Sequence, residues 1–76
     1  MKVKVTCHSW ITTALSNYLT GIGMTVHGLP VIDPVGDGTD ILYVTLAKGW
    51  SVEKLSNRLV MGCDIPMAMF NITELF

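Results

Sequence analysis

Cys7, His8 and Ser9 stand consecutively, a thiol, an imidazole and a hydroxyl that between them could supply a nucleophile and a general base. Adjacency in sequence is not a catalytic triad, because a base must also be oriented by a third group, and no such set can be assembled here. His8 could still act as an acid or base, since it follows a strand; a surface or capping histidine is the plainer reading. Cys7, His8, His27 and Cys63 are all metal-ligand types, but no pair has the CxxC or HxxxH spacing of a zinc site. Gly36-Asp37-Gly38 reads as a turn, because no Gly-Lys-Ser/Thr follows it to cradle a phosphate. Asn71-Ile72-Thr73 matches the glycosylation acceptor pattern, which is short enough to arise by chance. The chemistry-bearing residues therefore imply no enzyme, no cofactor and no metal.

The elements that must position these residues follow from patterning. Val3 to Cys7 is β-branched and predicts a strand. Ser9 is a suitable N-cap, and Ile11, Ala14, Leu15, Tyr18, Leu19 and Ile22 form an apolar stripe at helical spacing. Gly21 and Gly23 end that helix. Met24 to His27 predicts a second strand, and Pro30 to Thr39 a loop rich in proline and glycine. Ile41 to Leu46 is almost continuously apolar, the pattern of a parallel strand buried on both faces. Lys48-Gly49 turns the chain, Ser51 caps a second helix with Val52, Leu55, Leu59 and Val60 inward, and Gly62 stops it. Ile65 to Ile72 predicts the last strand. The order β-α-β-loop-β-α-β predicts a small parallel α/β sheet of Rossmann-like type, about four strands and two helices. A hairpin between Met24–Asp33 and Asp40–Leu46 would give the alternative, a ferredoxin-like α+β sheet. In the parallel arrangement Cys7 and Cys63 fall at opposite edges, too far apart to bridge, and both read as buried free thiols.

With 76 residues, the chain reads as one domain spanning residues 1–76. A domain this small buries only about 60% of the surface of its unfolded chain, so its core has little to spare. Half the residues are apolar and 14% are charged, which excludes intrinsic disorder. A net charge of −1 offers no footprint for a nucleic acid or an anionic membrane. The uncharged stretch from Val5 to Ile32 is interrupted by threonines, serines and glycines and contains no spanning run of ~20 apolar residues. Nor is there an apolar block followed by a small-residue cleavage site. A soluble, cytoplasmic domain is the expectation.

Val5-Thr6-Cys7-His8-Ser9, followed by Ala14-Leu15, Tyr18-Leu19 and Gly23, resembles the opening of a response-regulator receiver domain. Asp40-Ile-Leu-Tyr-Val-Thr45-Leu-Ala-Lys-Gly49 resembles the third strand and loop of that family, and Ile65-Pro-Met-Ala-Met-Phe-Asn71 its fourth strand. The resemblance implies a parallel receiver-like sheet, but the chemistry departs from it. Thr6 and Cys7 stand where receivers carry the acidic pair that holds magnesium, Thr45 stands at the phosphoacceptor position, and Asn71 at the hydroxyl position. A site without carboxylates has little hold on Mg²⁺. The resemblance thus implies a truncated pseudo-receiver, a regulatory docking domain of a two-component or phosphorelay system that is not itself phosphorylated. A second resemblance is to phosphotransferase-system enzyme IIB domains, which carry a phosphorylatable cysteine at the end of the first strand, where Cys7 stands. A helix N-terminus would stabilise a thiolate there. The glycine-free His8-Ser9-Trp10-Ile11 is a poor phosphate cradle.

The methionines and tryptophans are more numerous than two short helices need for their core. Trp50, after the third strand, is the expected partner anchor, and Lys48 and Trp10 are the other expected partner contacts. The expected partner is another signalling protein or another domain of the same chain, with a homodimer as a further option. No nucleic acid and no membrane insertion are expected. The third function class, carried by the ferredoxin-like alternative, is a small ligand-binding or oligomerising domain.

Overall fold

The computed structural model describes residues 1–31 and 38–75, with the backbone alone for 28–31. Its elements are β1 (Lys2–His8), a 3-10 turn (Ser9–Ile11), α1 (Thr12–Gly21), β2 (Thr25–Val31), β3 (Thr39–Thr45), α2 (Val52–Cys63), a second 3-10 turn (Met67–Met69) and β4 (Phe70–Leu75). The strands form one sheet in the order β2-β3-β1-β4. All three neighbouring pairs are antiparallel.

This overturns the parallel α/β sheet expected from the sequence. The domain is α+β, and β2 and β3, consecutive in the chain, pair as the alternative hairpin requires. The physical source of the misreading is β3. Its apolar run implied burial on both faces, yet its residues alternate: Asp40, Leu42 and Val44 are buried, while Ile41 is half-buried and Tyr43 is 39% exposed. One face of β3 is covered and the other is open, as antiparallel sheets allow. Residues 32–37, which hold most of the expected loop and part of the Gly36-Asp37-Gly38 turn, lie outside the described residues.

The covered face carries the core. Val3, Val5 and Cys7 of β1, Leu42 and Val44 of β3, and Phe70 of β4 meet Leu15 and Leu19 of α1 and Leu55 and Leu59 of α2. Because both helices share one cluster, they lie on the same side of the sheet. The Arg58 Nε–H donates to the Tyr18 hydroxyl at 2.9 Å and ties α2 to α1. Met24 and Leu46 close the end of the core, where the Ala47 N–H donates to the Met24 thioether at 3.1 Å.

Element ends differ from the sequence reading in instructive ways. Ser51 does cap α2, its hydroxyl accepting the Lys54 N–H at 3.1 Å. Ser9 caps nothing; it lies in the 3-10 turn, and α1 begins after Ile11 without a side-chain cap. α2 runs past Gly62 to Cys63 and ends at Asp64, which adopts the left-handed conformation at φ 55°. Asp64 succeeds there because its short polar side chain tolerates that region better than most. The fourth strand begins at Phe70 rather than Ile65, because the Ile65 N–H is used on the Leu59 carbonyl at 3.2 Å and Pro66–Met69 closes a turn.

Candidate functional site

Antiparallel pairing redistributes the residues singled out by sequence. In a parallel sheet all C-terminal strand ends would converge. Here the end of β1 meets the start of β3 and of β4: Thr6 pairs with Ile41 and Asn71, Cys7 with Asp40 and Phe70. Thr6, Cys7 and Asn71 therefore gather at one end of the sheet, around a cavity of about 160 Å³ also lined by His8, Thr39 and Phe70. Thr45 lies at the far end of β3, paired with Lys2 and hydrogen-bonded to His27 Nε2. The four positions do not form one site.

Cys7 belongs to a polar knot beneath the sheet. The Thr12 hydroxyl donates to Asp40 Oδ2 at 2.7 Å and lies 3.5 Å from Cys7 Sγ. Asp40, Thr12 and Cys7 are all buried. Burial pushes the Cys7 thiol above its ordinary pKa; the Thr12 hydrogen bond pulls it down, and the charge of Asp40 adds to the rise. A thiol that holds its proton can donate to Thr12, which donates in turn to Asp40, so the group is a satisfied chain. That is the opposite of an activated nucleophile, which needs a lowered pKa and access. The knot had no signal in the sequence, since it joins residues of β1, α1 and β3 across a sheet whose pairing was misread.

His8 carries a buried Nδ1 without a hydrogen-bond partner among the described residues, and its ring lies tilted 55° against Trp10 at 4.8 Å between centroids. The cavity beside it is smaller than the ~300–1,000 Å³ of ordinary ligand pockets. Cys63 is a half-buried free thiol on α2, and Cys7 is free too. Among the described residues no group of three His, Cys, Asp or Glu side chains could hold a metal ion. Asn71, Ile72 and Thr73 lie in β4, an edge strand.

The larger concavity lies between the helices. A groove of about 370 Å³ is lined by Ile11, Ala14, Leu15 and Tyr18 of the α1 side and by Cys63 and Ile65 where α2 ends. The stripe on α1 was legible in sequence, but its outer members exceed what the sheet and α2 cover. Next to Ile11 stands Trp10, 85% exposed, and Met67, two residues beyond Ile65, is 69% exposed. Met61 on α2 is 81% exposed. Trp50, the expected anchor, is half-buried against the core, with the Lys54 ammonium 4.6 Å from its ring centroid. Lys48 is exposed in the turn that Gly49 makes at φ 90°. Among the tryptophans it is Trp10 that presents free area.

No helix among the described residues is long and apolar enough to cross a membrane. No family model, no curated protein and no solved structure matches the chain.

Proposed function

We propose that this chain is a non-enzymatic protein-interaction domain that docks a partner in the groove between α1 and the end of α2. The carrying observation is that apolar groove, together with Trp10, a residue type enriched at interface hot spots, standing 85% exposed and adjoining Ile11 of the groove lining in sequence. A contiguous apolar concavity is the kind of surface that marks an interaction site, whereas single exposed apolar side chains are ordinary. A partner would insert an apolar side chain between Ala14, Tyr18 and Ile65. Regulation of a signalling protein is compatible with such docking. The receiver-like strand pattern that pointed to a phosphorelay implied a parallel sheet, which this domain does not have.

The test compares capture by the native protein with capture by Ala14→Arg, which fills the groove from an exposed helix position. A partner enriched by the native chain should fall at least tenfold with Ala14→Arg and with Trp10→Ala, while Asn57→Ala, exposed on α2, leaves it unchanged. Equal capture by all four chains would remove the groove from consideration.

A further inference from the structure

Among the described residues nothing covers the face of the sheet opposite the helices, and the residues of that face can be read off the strand register. Thr73, Lys4, Tyr43 and His27 lie side by side across the four strands. The next row is Leu75, Lys2, Thr45 and Thr25, and on the other side Asn71 pairs with Thr6 and Thr6 with Ile41. Tyr43 sits near the centre of this face and is 39% exposed. The side chains of Lys2 and Lys4 form no ion pair or hydrogen bond among the described residues.

Among the described residues no carboxylate lies on the open face. Asp40 turns under the sheet to Thr12, Glu74 shares the face of its partner Val3, and Glu53 and Asp64 belong to α2 and its cap. A molecule of net charge −1 thus carries, among the described residues, a face with two ammonium groups outside any ion pair, two imidazoles and Tyr43, alongside threonines, asparagine, Ile41 and Leu75. Such a face is too polar for a homodimer core, and a twofold axis through it would bring its lysines together.

We propose that this open face binds a short segment of single-stranded nucleic acid, with Tyr43 as the platform for one base and Lys2 and Lys4 neutralising two backbone phosphates. A ring stacked on a base, flanked by cations that track the backbone, is how proteins hold single strands without reading their sequence. Threonine and asparagine side chains in the outer rows would hydrogen-bond sugar and phosphate oxygens. The surface is independent of the helix groove, so either could fail alone.

The experiment is fluorescence anisotropy of a labelled ten-nucleotide oligothymidine at low ionic strength, titrated with the native chain. Saturable binding is expected, with log K falling against log salt at a slope of about −1.4, the value for two phosphates on a single strand. Tyr43→Ala should weaken binding by about tenfold or more and Tyr43→Phe should restore it, since stacking needs the ring and not the hydroxyl. The double substitution Lys2→Gln and Lys4→Gln should flatten the salt dependence. No binding at protein concentrations up to about 1 mM, above the usual range of non-specific constants, would overturn the proposal. So would binding that survives Tyr43→Ala, or a homodimer in sedimentation that Tyr43→Ala dissolves.

Discussion

Thr12 has one hydroxyl proton and three neighbours for it, and the distances decide the allocation. Asp40 Oδ2 at 2.7 Å takes it; the His8 carbonyl at 3.4 Å is second. Thr12→Val removes the 2.7 Å hydrogen bond that the hydroxyl gives a buried carboxylate, so unfolding should show a loss of about 1–3 kcal/mol. Cys7 gives a second prediction. Burial holds its folded-state pKa above that of the unfolded chain, so above the unfolded value the native state keeps a proton that the unfolded chain releases. Stability is therefore whole below about pH 8.5 and declines as pH rises towards the folded pKa. Denaturant titrations across that range should show the decline in the native chain and a shallower one in Cys7→Ala. The same buried thiol should take up no phosphoryl group. Intact mass after incubation with acetyl phosphate and magnesium, or with a phosphorylated phosphocarrier, should be unchanged; an added phosphoryl mass that Cys7→Ser abolishes would establish phosphotransfer instead.

At the scale of elements, β3 is where apolar pattern and actual environment part. Ile41-Leu42-Tyr43-Val44 offers four apolar side chains in succession, and composition cannot say whether a helix layer lies on one side or both. Only the pairing decides, and pairing depends on contacts distant in sequence. Leu42→Ala should cost about 2–5 kcal/mol, as a truncation in a packed core does. Tyr43→Ala, on the open face, should cost only about 0.2–1 kcal/mol of cross-strand contact. A strand covered on both sides would make the two losses similar, so one pair of urea titrations checks the sheet's layering. Helix α2 was legible for the opposite reason: Ser51 and the Leu55–Leu59 stripe are local signals, and local signals fix a helix. Ser51→Ala should lower stability by about 1 kcal/mol.

For the whole molecule, two helices on one face of a four-stranded sheet leave two surfaces with contrasting chemistry. The helix side ends in an apolar groove, and the open side presents lysines, histidines and Tyr43. The sequence carried the ingredients of both but not their placement. The α1 stripe, Trp10 and Lys4 were all visible, whereas the crowding of Ile11, Ala14, Tyr18 and Ile65 around one concavity depends on how α1 meets the end of α2. Likewise Thr45 separated from Thr6, Cys7 and Asn71 because antiparallel strands send their ends in opposite directions. The most direct measurement of docking is amide chemical-shift mapping of the native chain with its captured partner. Shifts should concentrate at Trp10, Ile11, Ala14, Tyr18, Cys63 and Ile65 and vanish in Ala14→Arg. Shifts confined to the strands, with the α1 groove silent, would contradict the interaction surface proposed for this domain.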